Sequence, residues 1–209
     1  MTAPWLRGRI VFIADLDSLA GRLVPVVEAC LEGGVKMVQL RGKNQSDRHL
    51  YGRGVALREM TTAAGAHLFV NDRVDLALAL EADGVHLGQE DLPVSVVKGL
   101  SRDCIVGKTC RTPESAEEAQ GQGADYVSVG AMFPSLTKPS VPVVGLERLG
   151  QIKGRVQVPV CAIGGINAAN LREVLRAGAD FVAVISALSG AEEPRKTAAL
   201  LGRICEEAG

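Results

Sequence analysis

The sequence predicts a single-domain (β/α)8 TIM barrel over residues 1–209. Three observations carry that prediction. Short runs rich in Val, Ile and Leu recur along the chain between stretches that read as helices, and strands this apolar are covered on both faces, as parallel strands are. An internal echo marks the passage from helix to strand: Ala82-Asp83-Gly84-Val85, Gly123-Ala124-Asp125-Tyr126-Val127 and Gly178-Ala179-Asp180-Phe181-Val182. Eight such units average about 26 residues each, near the lower size limit of the barrel. An open doubly wound sheet is the alternative, but no Gly-x-Gly-x-x-Gly turn follows the first strand.

Taken in order, Arg9 to Asp15 reads as strand one and Leu23 to Leu31 as the helix after it, stopped by Gly33-Gly34. Lys36 to Arg41 is strand two. Ser46-Asp47 starts a helix running to about Ala64, with Gly65 as its C-cap. His67 to Val70 is strand three, the apolar residues Val74, Leu76, Ala77, Leu78 and Leu80 form a one-sided helix, and Gly84 to Leu87 is strand four. Asp91, with Pro93 in the first turn, opens the next helix. Strand five is Cys104 to Thr109, and Thr112-Pro113-Glu114-Ser115 starts a helix ending near Gly121. Strands six, seven and eight are Tyr126 to Gly130, Val158 to Ile163 and Phe181 to Ile185. One long irregular connection, Met132 to Val144, follows strand six, so it lies on the catalytic face of such a barrel.

Composition excludes several function classes. A formal net charge of −1 and a pI near 6.3 argue against a nucleic-acid surface, so any anion site must be local. No apolar run approaches the roughly 20 residues of a membrane span, and the first residues do not read as a signal peptide. Cys30, Cys104, Cys110, Cys161 and Cys205 are scattered, odd in number and without metal spacing. Reduced thiols in a cytoplasmic protein are the expectation. A homo-oligomer is compatible with the sequence, which does not set the state.

The chemistry is expected at the carboxyl ends of the strands. Asp72 follows strand three and Asp91 follows strand four, 19 residues and one βα unit apart. Neighbouring strands lie about 5 Å apart, so two acids at equivalent ends can share one cation. Each acid alone also reads as a helix cap. Capping gives no reason, however, for Gln39, Arg41 and Lys43 to gather on the same rim. Two carboxylates without cysteine or histidine ligands favour Mg²⁺, which completes its shell with water and phosphate oxygens. Arg41, Lys43 and Lys138 would meet the remaining charge of that phosphate group, each contact near 4 Å being worth roughly 4 kcal/mol gross at an effective dielectric of about 20. Loss of a diphosphate leaving group is the chemistry suggested. A second anion site is expected where Ala162-Ile163-Gly164-Gly165-Ile166-Asn167 ends strand seven and opens a helix, with Ser186 after strand eight; a tight turn capped by Asn167 is the plainer reading. His86 could point inward from strand four as a hydrogen-bonded core residue, while His67 and His49 carry no chemistry.

These residues resemble the thiamine phosphate synthase family almost end to end. The likeness rests on Val38-Gln39-Leu40-Arg41-Gly42-Lys43, Val70-Asn71-Asp72-Arg73-Val74-Asp75-Leu76-Ala77, Gly84-Val85-His86-Leu87-Gly88-Gln89-Glu90-Asp91, Pro134-Ser135-Leu136-Thr137-Lys138 and Ala162-Ile163-Gly164-Gly165-Ile166. The resemblance implies a Mg²⁺-dependent transferase of thiamine biosynthesis. It implies that a pyrimidine diphosphate (4-amino-2-methyl-5-hydroxymethylpyrimidine diphosphate) binds around Gln39, Leu40, Arg41, Gly42, Lys43, Asn71, Thr109 and Lys138, with Mg²⁺ between Asp72 and Asp91. Thiazole phosphate would sit against Ser135, Leu136, Thr137, Gly165, Ile185 and Ser186. Arg41, Lys43 and Lys138 would be the catalytic cations. In the family's mechanism the C–O bond breaks first, and the thiazole nitrogen then captures a pyrimidine-stabilised carbocation. Departures from the family pattern are Thr109 for serine, Ser135 for threonine, Ala131 for proline, Arg111 for histidine, and an apolar Leu136. A thiazole tautomerase of the same fold is the nearest rival. It would need a proton shuttle and no diphosphate site, and no histidine lies near Cys110 in the sequence. A barrel that binds thiamine precursors without turning them over is the non-enzymatic alternative.

Overall fold

The computed structural model describes residues 3, 5, 6, 8–19, 21–134 and 142–208. Eight parallel strands close into a barrel in the order β1 to β8. The elements in chain order are β1 (Ile10–Asp15), α1 (Leu16–Leu19), α2 (Leu23–Glu32), β2 (Met37–Arg41), α3 (Asp47–Ala63), β3 (His67–Asn71), α4 (Val74–Ala79), β4 (Gly84–Leu87) and α5 (Val94–Leu100). They continue with β5 (Ile105–Thr109), α6 (Pro113–Gly121), β6 (Tyr126–Gly130), α7 (Gly145–Lys153), β7 (Val160–Ile163), α8 (Leu171–Arg176), β8 (Phe181–Val184), α9 (Ser186–Ser189) and α10 (Pro194–Glu207).

Strand alternation sorts the core into two layers. Ile10, Phe12, Ala14, Val38, Leu40, Leu68 and Val70 face the helices. Val11, Ile13, Met37, Phe69, Tyr126, Cys161, Phe181 and Ala183 fill the barrel interior. Trp5 stands against the lower end of that interior, its ring 5.5 to 6.3 Å from those of Tyr126, Phe181 and Phe69.

The internal echo in the sequence has a structural cause. Each repeated aspartate sits just before an even-numbered strand and reaches back to the strand before it. Asp83, Asp125 and Asp180 accept the backbone N–H of Leu68, Val106 and Val160 at 2.6 to 2.7 Å. Each also pairs with a cation from the helix that leads into that earlier strand: Arg58 of α3 at 2.7 Å, Lys98 of α5 at 2.6 Å and Lys153 of α7 at 2.6 Å. The carboxylate thus satisfies a strand-start donor and ties helix to sheet at the end of the barrel opposite the predicted site.

The expected strands all form, within two residues of the expected bounds. Ser46 accepts the N–H of His49 at the start of α3, and Thr112 with Ser115 forms a capping box on α6. Pro93 is the N-cap of α5 rather than a residue of its first turn. The helix expected to open near Asn167 begins at Leu171, because Asn167 and Asn170 are spent on a turn: the Asn167 N–H donates to Asn170 Oδ1 at 2.8 Å and the Asn170 amide to the Gly165 carbonyl at 2.9 Å. Helices α1, α7, α9 and α10 lie outside the sequence prediction. No side chain caps α7, which contains two glycines, whereas Pro194 and a one-sided apolar face mark α10.

Candidate active site

The site is built from strand ends. Asp72 follows β3 with φ +64°, a left-handed conformation that aspartate adopts more readily than most residues. Its N–H donates to the His86 carbonyl of β4 at 2.8 Å. Arg73 occupies the N-cap of α4 and no side chain caps that helix. Asp91 is likewise no helix cap: its Oδ2 accepts the N–H of Gly88 at 2.6 Å, which folds the loop after β4 back on itself. Lys108 holds the same loop by donating to the Gly88 carbonyl at 2.7 Å.

Both carboxylates turn to the same point. Burial, opposed by the Gly88 N–H and reinforced by the adjacent Asp72 carboxylate, pushes the Asp91 pKa above its ordinary value. Lys43 Nζ lies 3.2 Å from Asp72 Oδ2. Two like charges and one lysine therefore share the rim above β2, β3 and β4.

On β2, Gln39 and Arg41 point inward together, as alternation requires. The Gln39 amide donates to Asn71 Oδ1 at 2.9 Å. Arg41 is ion-paired with Asp15, the last residue of β1 and its neighbour in register. Asp15 was not among the expected site residues. The available signal was an acid ending the inward-facing series Val11, Ile13, Asp15. Leu40 is buried toward the helices and a side chain at Gly42 would meet Gln45, Leu50 and Leu16, so neither presents a side chain to the cavity.

A cavity of about 220 Å³ joins these groups. Gln39, Arg41, Lys43, Asn71, Asp72 and Thr109 line one side, and Gly164, Gly165, Ile185 and Ser186 the other. Asp91 stands behind Gly88, which lines the cavity. His86, Arg111, Tyr126 and Ser128 also line it and were missed as site residues. The expected residues Ser135, Leu136, Thr137 and Lys138 lie outside the described residues. Gly164 and Gly165 have φ of +100° and +67°, and a Cβ on either would come within 2.6 to 2.8 Å of Ala131, Phe133 or Pro134. Only glycine lets this loop run so close to the connection after β6. The short α9 begins on this side, at Ser186.

A hollow at the opposite end of the barrel contains Arg9, Lys36 and Lys153. Arg9 donates to three backbone carbonyls, Lys36 to the Ala64 carbonyl and Lys153 to Asp180. Each of the three thus has a protein partner, and Lys153 is paired with a carboxylate. The five cysteines are free and buried, and burial pushes the thiols of Cys30 and Cys110 up to about 12 and about 11, which makes them poor nucleophiles at neutral pH. Among the described residues no group of three or more His, Cys, Asp or Glu is placed to hold a metal, and no helix is long and apolar enough to cross a membrane.

The family model for thiamine monophosphate synthase matches residues 10–188. The chain belongs to that family. Thiamine-phosphate synthase of Pyrococcus furiosus is 48% identical over 189 residues, covering 89% of this chain and 91% of the relative. The Pyrococcus horikoshii enzyme of the same name is 45% identical, covering 87% of each. A solved thiamine phosphate pyrophosphorylase from Pyrococcus furiosus superimposes with a TM-score of 0.88 at 44% identity, over 96% of both chains. In this member of the thiamine monophosphate synthase family, then, Asp72, the cationic strand end and the glycine turn line one cavity at the carboxyl end of the barrel, with Asp91 beside Asp72, at the end where (β/α)8 enzymes place their chemistry.

Proposed function

We propose that the chain is a thiamine phosphate synthase, a transferase that joins a hydroxymethylpyrimidine diphosphate to thiazole phosphate with release of diphosphate. One observation carries the site assignment: Asp72 and Asp91 face each other beside Lys43, across a single cavity from Gly165 and Ser186.

The donor set fits Mg²⁺. Two oxygen ligands from carboxylates that repel each other are what a hard dication relieves, leaving the rest of its octahedron to water and phosphate. When bound there, Mg²⁺ would neutralise negative charge on the departing diphosphate. Lys43, drawn from Asp72 once the acids are occupied, would meet the diphosphate oxygens. Arg41, already oriented by Asp15, would offer the N–H groups not used in that pair. Lys138 would close the same group from the loop after β6. Gln39 and Asn71, bonded to each other, would present the amide groups that orient the pyrimidine, with Thr109 beside them. Across the cavity, Gly165, Ile185, Ser186, Ser135, Leu136 and Thr137 would hold the thiazole phosphate. The C–O electron pair leaves with diphosphate, the pyrimidine ring stabilises the methylene cation, and the thiazole nitrogen lone pair forms the new C–N bond. No general base is required. The barrel's task is to keep the nitrogen in line and water out while the cation lives.

Incubating purified protein with both substrates and Mg²⁺ tests this. Thiamine phosphate and diphosphate in equal amounts are expected. An isomerised thiazole with no diphosphate would instead make the protein a tautomerase, and no turnover at all would make it a binding protein.

A further inference from the structure

Three polar groups on three adjacent strands form a chain beneath the cavity. The hydroxyl of Tyr126 on β6 lies 3.0 Å from His86 Nδ1 on β4, and His86 Nε2 lies 2.9 Å from Thr109 Oγ1 on β5. Tyr126 crosses β5 to reach His86 because residue 107 has no side chain: a Cβ on Gly107 would stand 2.0 Å from Tyr126 Cζ. The tyrosine and imidazole rings are stacked at 5.7 Å with 23° between their planes. Phe69 and Phe181 hold the tyrosine ring edge-on.

The chain has a direction. Tyr126 is 4% exposed, and burial raises its phenol pKa well above the ordinary value, so the hydroxyl keeps its proton. His86 is the hydrogen-bond partner of that hydroxyl among the described residues. A buried O–H that does not donate is costly, which makes Nδ1 the acceptor and leaves the imidazole proton on Nε2. Nε2–H then donates to Thr109 Oγ1. With one lone pair so engaged, the threonine hydroxyl keeps its own hydrogen available to donate into the cavity it lines. In the opposite tautomer the Tyr126 proton loses the one acceptor it has among the described residues, and Thr109 shows an electron-rich substrate only its oxygen.

We propose that Tyr126 and His86 are positioning residues that set the Thr109 hydroxyl as a hydrogen-bond donor to the pyrimidine diphosphate. The inference rests on the reading of Thr109 as a contact of that substrate. It also gives a reason for a tyrosine in the barrel interior where an apolar ring would fill the same space.

The test combines imidazole NMR with kinetics on the full-length enzyme. The protein has three histidines, so His49→Gln and His67→Gln assign the ¹⁵N spectrum of His86. The expected wild-type signature is protonated Nε2 with unprotonated Nδ1; the reverse tautomer would overturn the proposal without any variant. Tyr126→Phe, which keeps the ring and removes the donor, is expected to mix the two tautomers. It should also raise KM for the pyrimidine substrate about tenfold, the scale of one lost hydrogen bond, with KM for thiazole phosphate unchanged. Thr109→Val should do the same, Thr109→Ser should not, and the Tyr126→Phe/Thr109→Val double variant should add nothing to either single change. If Thr109→Val weakens pyrimidine binding while Tyr126→Phe alters neither spectrum nor KM, the relay is wrong and the substrate contact stands. If Thr109→Val has no effect, the contact and the relay both fall. A Tyr126→Phe loss shared equally by both substrates would mark a general packing role and also overturn it.

Discussion

Arg41 of β2 reaches sideways to the carboxylate of Asp15 on β1, and the two side chains are only 11% and 3% exposed. The guanidinium is therefore neutralised and fixed before any substrate arrives. Its contribution to a diphosphate is one of placement more than of unspent charge, because a planar fork held at one nitrogen presents its remaining N–H groups in set directions. Lys43, with its side chain 57% exposed and its Nζ 3.2 Å from Asp72, is the solvent-facing counterpart.

Removing Asp15 leaves that guanidinium buried without a counter-charge. Asp15→Ala is expected to cost about 3–5 kcal/mol of stability, read by urea denaturation, along with most of the activity. A double variant, Asp15→Leu with Arg41→Leu, should recover much of the stability and none of the turnover. Equal destabilisation in both proteins would show that the pairing is not what holds this corner.

The two acids at the rim can be separated from folding by amide substitution. Asn tolerates the left-handed backbone of position 72 and at position 91 can still accept the Gly88 N–H. Asp72→Asn and Asp91→Asn are each expected to lower the Mg²⁺-dependent rate by about a hundredfold or more, the consequence of losing most of a charge contact of roughly 4 kcal/mol. Circular dichroism and melting should stay near wild type. If kcat and the Mg²⁺ dependence are unchanged in both, the metal does not sit there.

Ser186 tests the division of the cavity. Ser186→Ala should raise KM for thiazole phosphate about tenfold to a hundredfold, the worth of one hydrogen bond to a charged group, while KM for the pyrimidine diphosphate holds. An effect on the pyrimidine substrate alone would contradict the two-sided layout.

Asp83 should shape the acid limb of stability. Burial raises its pKa, but the Leu68 N–H, Arg58 and His67 together outweigh burial and hold it below the ordinary 3.8. A carboxyl depressed in the folded state stabilises fully above its unfolded pKa and loses that contribution as pH falls through the folded value. Asp83→Asn should therefore lower stability near neutral pH and flatten the fall in unfolding free energy below about pH 4, measured by urea titration from pH 2 to 6. A variant whose acid limb runs parallel to wild type would show that Asp83 does not contribute to it.

The barrel, the order of its strands and the end at which the expected residues line a cavity were legible in the linear chain, because each is a matter of period and punctuation. Two-sided burial shows as unbroken apolar runs, and alternation states which of Gln39, Leu40 and Arg41 face inward. The Asn71-Asp72 and Gly88 to Asp91 stretches also show, one βα unit apart, that two acids end neighbouring strands.

What the chain alone left open was most of the partnership across strands. The pairing of Asp72 with Asp91 was expected beside a helix-cap reading of each, and closure of the sheet decided between them by bringing the two acids together, with neither capping α4 or α5. Asp15 became the counter-ion of Arg41 through the β1–β2 register. Tyr126, His86 and Thr109, from three strands, met because Gly107 leaves a gap between them. Local propensity acts over a few residues, whereas these pairings depend on the stagger and curvature of a closed barrel, which bring together groups 23 to 40 positions apart.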